Sequence, residues 1–550
     1  MKYIILSLLG LAGSGFAGEN IHQASEARCW LKVPSNQPPL KDVRISLGSV
    51  TNASWVKDPA IRDRQSDIMF PVRWWSWNEA VVEFTPTYDG PLELVLCGPW
   101  QADKDGAIFR QEILWDEISA TGVTIQNGGF ETQETQRPAA WTSSGAAYPA
   151  PDAWPLKGTK PLAGTHLATT WHNRTLSQTL QVKAGKPVSL RLHAKSATPP
   201  DFIAPKALGN ATPAHRALAR MKRGVNFGNG WEANPAWKIA FTTEDIDHIA
   251  DQGFDHIRVP VGFHFYLKEG KDGMELSKSF LDELEPVLRR ALDRKLTVLL
   301  DWHHFNDLTT APDQNLARFI AGWECIARRF KSWPPGLYFE LLNEPHDAMT
   351  TEVCNRIYPK TITAIRRIDP TRIIVASPGS WGGINELEKL RLPDNDDRII
   401  VTVHCYEPFY FTHQGAGWVG FQGLKGVVYP GPPATPLQVP ESLKGNPGVC
   451  QFIESYNTLP ADRNPSSAKS VRLMLDAVQA WSLEYGRPVH LGEFGAHNIG
   501  DDASRGRYLH DVKTLAEERK IPWTLWEWKS SFGYWDPKTN RPRFRKAFFE

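Results

Sequence analysis

Two glutamates each close an apolar run that reads as a strand. Glu344 ends Leu337-Tyr338-Phe339-Glu340-Leu341-Leu342-Asn343-Glu344-Pro345, and Glu493 ends Pro488-Val489-His490-Leu491-Gly492-Glu493, which continues into Phe494-Gly495. A strand buried on both faces is a nearly continuous apolar run. A carboxylate at its end must then sit where the strand meets solvent, because burying an unpaired charge is too costly. Two such carboxylates, distant in sequence but at equivalent strand ends, can act as one acid and one nucleophile on a single bond. Glycoside cleavage needs that arrangement.

The elements that must position them begin at Met221, where the chain alternates strand and helix. Candidate strands are Arg223–Asn226, His256–Pro260, Leu296–Asp301, Leu337–Asn343, Arg372–Ala376, Ile399–Tyr406, Val489–Glu493 and Trp523–Trp526, with amphipathic stretches such as Phe280–Leu292 between them. Eight such units predict a (β/α)₈ TIM barrel whose active site lies at the carboxyl ends of the strands. Those ends carry Asn226, Arg258, His303, Asn343, Glu344, His404, Tyr406, Glu493 and Trp526. Glu344 could protonate the leaving oxygen, and Asn343 could hold a sugar hydroxyl. Glu493 could attack the anomeric carbon, kept ionised by the fixed cation of Arg258. Tyr406 could donate to the same carboxylate, His303 and His404 could orient the acid or the sugar, and Trp526 could form a stacking floor. Glu340 and Glu527 are nearby carboxylates; Glu340 lies roughly 13 Å back along an extended strand and reads as structural.

The chain has 550 residues, with 62 Lys plus Arg against 61 Asp plus Glu. That length predicts two or three domains. That balance gives no electrostatic footprint for nucleic acid. Met1-Lys2-Tyr3, an apolar stretch from Ile4 to Ala12 and small residues at Gly15 and Ala17 read as a secretory signal peptide over 1–18, too short to span a bilayer. The mature protein is expected to be exported, to a periplasm or outside the cell. Residues 19–120 and 121–200 lack helical periodicity and carry alternating runs with Gly and Pro turns, which predicts one or two antiparallel β-sandwich modules. A linker is expected over 201–220 and the catalytic unit over 221–550. Trp74, Trp75, Trp77, Trp154 and Trp171 are candidates for a polysaccharide-binding platform, with core packing as the alternative. Six cysteines fit an oxidising compartment; Cys29–Cys97 and Cys405–Cys450 are possible bridges, and buried free thiols are the alternative.

From Arg223 to Phe549 the chain resembles glycoside hydrolase family five. The matching strings are Arg223-Gly224-Val225-Asn226-Phe227-Gly228-Asn229, Ile257-Arg258-Val259-Pro260, Asp301-Trp302-His303-His304, Leu342-Asn343-Glu344-Pro345, His404-Cys405-Tyr406-Glu407-Pro408, Leu491-Gly492-Glu493-Phe494-Gly495 and Leu525-Trp526-Glu527. The resemblance implies that Glu344 is the acid/base and Glu493 the nucleophile, surrounded by Arg258, His303, Asn343, His404, Tyr406 and Trp526. It further implies that Asn229, Glu232 and His304 line the cleft. The segment Phe409–Trp418 is similar to a loop of bacterial endoglucanases that also accept mannan, which implies substrate contacts for His413 and Trp418. Asn127-Gly128-Gly129-Phe130-Glu131 resembles the opening of carbohydrate-binding jelly-roll modules.

The expected activity is endo-hydrolysis of β-1,4-glucan with retention, with the two carboxyl groups ~5 Å apart. Glu344 then needs a raised pKa. A monomer is expected, with no metal or organic cofactor. β-Mannan, xyloglucan and β-1,3-glucan remain alternatives, as does a non-catalytic polysaccharide-binding protein. The long insertion from Val419 to Ser466 leaves endo against exo action open, since it could close one end of the cleft.

Overall fold

The computed structural model describes residues 25–47, 50–51, 56–57, 65–72, 77–99, 101–102, 108–109, 112–134, 137–144, 161–197, 207–209, 211–233, 238–271, 273–461 and 464–550. The expected signal peptide lies outside these residues, as do Trp74, Trp75 and Trp154. Among the described residues no helix is long and apolar enough to cross a membrane.

Eight parallel strands close into a barrel: β1 (Arg223–Asn226), β2 (His256–Val261), β3 (Thr297–Trp302), β4 (Leu337–Glu340), β5 (Ile374–Ala376), β6 (Ile399–His404), β7 (Val489–Phe494) and β8 (Trp523–Leu525). Every residue of β2, β3, β6 and β7 is buried, which is why they read as mostly apolar runs. β4 is regular only to Glu340, short of the expected Asn343; Leu341 and Asn343 still donate main-chain hydrogen bonds to Val375 and Trp302 at 2.9 Å each, and the chain bends at Asn343–Glu344. The helix Lys278–Asp293 buries Phe280, Leu284, Val287, Leu288 and Ala291, a stripe at helical spacing that faces the barrel. Gly486 ends the helix Ala468–Tyr485 with φ 59°; a Cβ there would lie 1.8 Å from the Leu208 carbonyl oxygen, so both backbone conformation and room require glycine.

Residues 213–218, inside the expected linker, form a helix. Ala214, Ala217, Leu218 and Met221 pack with Leu299, Tyr338, Ile373, Val375 and Ile400, and the Tyr338 hydroxyl donates to the Ala217 carbonyl at 3.2 Å. This segment therefore closes the amino-terminal end of the barrel, opposite the predicted site.

The amino-terminal region is a β-sandwich of two six-stranded antiparallel sheets. One runs Thr142–Ser144, Thr175–Val182, Gly90–Cys97, Ser25–Lys32, Gln65–Val72, Val56–Lys57; the other runs Ala168–Thr170, Ile113–Thr121, Val188–Ser196, Asn78–Thr85, Lys41–Leu47, Val50–Thr51. Each sheet mixes strands from both sides of residue 120. The two stretches of β pattern thus build one sandwich around one core.

The proposed bridges do not form; all six cysteines are free. Cys29 lies opposite Leu96 and Cys97 opposite Arg28. A one-residue offset between paired strands sends the two thiols to opposite faces of the sheet. Cys405 is buried just after β6, whereas Cys450 lies in the helix Pro447–Thr458 with its thiol 3.5 Å from the Lys444 carbonyl.

The insertion after β6 lies along the flank of the barrel. Val427 exchanges hydrogen bonds with the Gln414 side chain at 2.8 and 3.0 Å, and Tyr429 donates to Asp511 at 2.8 Å. Its helix Pro447–Thr458 touches the sandwich strand Val50–Thr51. The sandwich and barrel are joined electrostatically as well. Lys469 of the barrel pairs with Glu79, which also holds Arg191 within the sandwich. Lys195, pushed down by burial, faces Glu388 and Glu484 of the barrel, and Glu388 accepts from Tyr485 at 2.9 Å. Removing one partner of a buried pair strands the other, at about 3–5 kcal/mol when burial is complete and less at a partly wet interface. A fragment beginning at residue 207 is therefore expected to melt about 5 °C or more below the full chain. An equal melting temperature would mean that the sandwich rides on the barrel without supporting it.

Candidate active site

Strand register brings the polar residues together at one end of the barrel. Asn226 pairs with Arg258 across β1–β2, and Asp301 with Glu340 across β3–β4. Between β6 and β7 the register slips, so that Val403 pairs with Leu491 but His404 pairs with Glu493. The extra residue is Gly492, whose Cβ, if present, would lie 2.5 Å from Thr402 Oγ1 and 3.1 Å from His404 Nε2. A bulge of this kind re-aims the side chain that follows it, and here that side chain is Glu493.

Arg258 is the hub. Its Nε and Nη2 donate to the two oxygens of Glu340 at 2.8 and 2.7 Å, and Nη2 also reaches Asn343 Oδ1 at 2.7 Å and Asp301 Oδ2 at 3.1 Å. Its Nη1 donates to Glu493 Oε1 at 2.7 Å and to Asn226 Oδ1 at 3.0 Å. The second oxygen of Glu493 accepts from the Tyr406 hydroxyl at 2.7 Å. Among the described residues Glu344 has no such Lys or Arg partner. Its Oε1 lies 2.8 Å from His404 Nδ1, while its main chain sits at φ 44° with its carbonyl accepting from His346 Nδ1 at 2.6 Å. A left-handed non-glycine residue at a strand end is a strained position of the kind found at active sites.

The two carboxylates therefore differ in kind. Burial raises Glu344 to about 7, only partly opposed by His346 and Arg258. Burial also pushes Glu493 up, but His404, Arg258 and the Tyr406 hydroxyl pull it back, and these contacts stabilise its charged form. The ligand atoms of Glu344, His404 and Glu493 lie within 4.8 Å of one another. These three could hold a metal ion, but Arg258 already places a cation on Glu493 Oε1, and a second would be repelled.

Around this pair, His303 donates through Nδ1 to Asp301 Oδ2 at 2.6 Å and lies parallel to the Trp526 ring, 5.7 Å between centroids. Burial holds His303, His304 and His404 below the usual imidazole range, so all three are neutral near pH 7. Asn343 has its oxygen committed to Arg258, and its buried Nδ2 finds no partner among the described residues, which leaves a donor aimed at the cleft.

A protein-family model, Cellulase (glycosyl hydrolase family 5), matches residues 221–532, more than half of the chain. The chain belongs to glycosyl hydrolase family 5. Endoglucanase 3 of Fibrobacter succinogenes is 28% identical over 339 residues, covering 58% of this chain and 51% of that protein. Endoglucanase C of Acetivibrio thermocellus is 30% identical over 331 residues, covering 57% and 92%. The chain thus spans about half of the first relative and nearly all of the second. Among solved structures, Cel5A of Thermotoga maritima in complex with mannotriose is 30% identical with a TM-score of 0.53, covering 61% of this chain and 99% of that one.

The remaining expected site residues of this family 5 chain lie at the same mouth. Asn229, at φ 64°, donates to Glu527 Oε2 at 2.8 Å and Ser530 Oγ at 3.1 Å, while its main-chain N–H donates to Glu232 Oε1. Burial raises Glu232 to about 8 and Glu527 to about 7. His304 packs edge-on against His303 at 4.1 Å. His413 stacks on Phe409 at 4.2 Å and meets the edge of Tyr406 at 5.0 Å. Trp418 is half exposed and stands over His497 and Phe532.

Several further side chains take part in the site. Asp301 appeared only as part of a matching string, yet it orients His303 and shares Arg258. His346 and Trp381 stack at 5.2 Å beside Glu344, and Phe532 fills the space between Tyr406, His413, His497 and Trp418. Asp301, two residues before His303 on β3, and His346, two residues after Glu344, had a local signal. Trp381 and Phe532 depend on loop paths that no short pattern encodes.

Proposed function

We propose that the protein is a secreted, retaining endo-β-1,4-glucanase in which Glu344 is the acid/base and Glu493 the nucleophile. The observation that carries this is the asymmetric pair: oxygens within 4.8 Å, with Arg258 and Tyr406 on Glu493 alone. That spacing suits direct attack rather than attack by an intervening water, which needs ≈ 6.5 Å or more. In the first step a Glu493 oxygen bonds to the anomeric carbon as the glycosidic C–O bond breaks, and Glu344 gives its proton to the departing oxygen. In the second, Glu344 takes a proton from water, which attacks the anomeric carbon and releases Glu493. Asn343 Nδ2 and His303 are positioned for the hydroxyls of the reacting sugar, with Trp526 beneath it. Asn229, Glu232 and His304 extend the cleft on one side, and His413 and Trp418 on the other.

Endo action is favoured because the insertion spends its contacts on the helix Asp502–Glu518 and the sandwich. Residues 1–18 act as the export signal, 19–200 as the sandwich, and 221–550 as the catalytic unit. A second reading, β-1,4-mannan as substrate, is favoured by His413 and Trp418 and by the mannotriose complex of the Thermotoga relative. Reducing-sugar release from β-glucan, carboxymethyl-cellulose, glucomannan and galactomannan, with the product anomer read by NMR, tests both. Release of the α-anomer first would overturn retention, and galactomannan as the one substrate hydrolysed would replace glucan by mannan.

Glu344 must carry a proton to start the reaction, and its carboxyl titrates at about 7. The kcat/KM for β-glucan is therefore expected to fall tenfold per unit on the alkaline side of about pH 7. A rate still rising from pH 7 to 9 would remove Glu344 from the acid role.

A further inference from the structure

Trp418 and Phe265 are the two aromatic side chains left exposed among the described residues, at 50% and 62%. Single exposed apolar residues are ordinary on a protein surface. Their placement is what matters here. Trp418 stands in the loop after β6, and Phe265 in the loop after β2. These loops leave the same, carboxyl-terminal end of the barrel, four strands apart in a ring of eight, so they face each other across the mouth. Glu344 and Glu493 lie between them.

The surroundings of Phe265 tie it to the cleft on both sides. Its ring lies over Gly262, where a Cβ would meet Phe265 Cδ2 at 2.7 Å. The Gly262 N–H donates to the Trp231 carbonyl at 3.2 Å, which joins this loop to the segment bearing Asn229 and Glu232. On the other side Phe265 packs against the His264 ring at 4.0 Å, and His264 lies parallel to Phe305 at 5.2 Å, in the loop that begins with His303 and His304. The ring is thus buttressed from beneath while most of its surface faces solvent.

We propose that Phe265 is a stacking platform for a sugar unit remote from the cleaved bond, a subsite that extends the cleft on the side of Asn229, Glu232 and His304. This rests on the glycanase reading above. The ligand is a β-1,4-linked chain whose flat C–H face lies on the ring; the buttress by His264 and Gly262 reduces the ordering that binding must supply. Phe265 touches a distant unit only, so its contribution is to binding of long chains and not to the chemical step.

The full-length protein, Phe265→Ala and Phe265→Trp are compared on β-1,4-gluco- and manno-oligosaccharides of two to six units. Phe265→Ala is expected to lose about three- to tenfold in kcat/KM on the longest substrates, carried by KM, with the shortest unchanged. Phe265→Trp is expected to keep the native length dependence. An equal loss at every length, or none at any, would overturn the subsite while leaving the glycanase reading intact. If the unaltered protein cleaves neither series nor any polymer of the panel above, the glycanase reading falls and the subsite with it.

Discussion

Glu493→Gln is expected to abolish hydrolysis of β-glucan, by about 10⁴-fold or more, with the fold preserved. The amide keeps the size and planarity of the carboxylate, so it can still accept from Arg258 or Tyr406. Its neutral oxygen is too weak a nucleophile to form the glycosyl-enzyme. Glu344→Ala is the informative partner. A sugar alkoxide is a poor leaving group and needs its proton, so this change is expected to cost about 10²–10⁴-fold on polysaccharide. A nitrophenyl glycoside leaves without help, so formation of its glycosyl-enzyme should be nearly unaffected, and the intermediate should accumulate because water is no longer activated. A burst of nitrophenol followed by slow turnover is the expected trace, and mass spectrometry should find the adduct on Glu493. If Glu344→Ala loses equally on both substrate types, or if Glu493→Gln retains appreciable activity, the two roles are wrongly assigned.

The fold and the ends of its strands were legible because burial on both faces leaves one kind of sequence. β2, β3, β6 and β7 are mostly apolar runs, each with two polar residues, one of which (Arg258, Asp301, His404 or Glu493) belongs to the cleft network. Asn226, Arg258, Glu493 and their neighbours stood out against that background. β4 was less clear. Leu341 and Leu342 are as apolar as the strand before them, but Glu344 takes a left-handed conformation, so regular pairing ends at Glu340 and only the main-chain bonds of Leu341 and Asn343 carry the edge on to the bend. The alternation in the first 200 residues showed strands but not which strand lies beside which. Thr175–Val182 pairs with Gly90–Cys97 across 80 to 92 residues, and no local pattern encodes that choice. The cysteines left bridges and free thiols both open for a related reason, because a bridge depends on register to the residue, and the free thiols are what the fold contains. The charge network was half visible: Arg258 and Glu493 were paired from the sequence, whereas the share of Arg258 taken by Glu340 and Asp301 emerges only when β2, β3 and β4 lie side by side.

That shared arginine sets the second large effect. Arg258 is fully buried and, among the described residues, is the one Lys or Arg touching Asp301, Glu340 and Glu493. Arg258→Met, of similar length and without charge, leaves three carboxylates in a dry site. Breaking one buried pair costs about 3–5 kcal/mol, and this residue serves three partners. The protein can reduce that cost by taking up protons. Burial already pushes Asp301 to about 7 and raises Glu340 and Glu493 despite the arginine, so without it all three rise further. In the unfolded chain the same groups ionise near pH 4. Above that pH the folded variant holds more protons than the unfolded one, so its stability falls as pH rises through the folded pKa values. Arg258→Met is therefore expected to be destabilised more at pH 8 than at pH 5. The native protein should show the same direction less steeply. Activity should fall at least about 100-fold at pH 7, because a protonated Glu493 cannot attack while Glu344 must stay protonated, and raising the first pKa closes the window between them. Arg258→Lys keeps a charge but not the fork that spans Glu340, Asn343 and Glu493 at once, so it should recover stability at pH 8 before it recovers rate. Urea unfolding of the three proteins at pH 5 and pH 8 measures this. A loss of stability in Arg258→Met that is the same at both pH values would mean that the arginine contributes packing, and that Glu493 owes its charge to other groups.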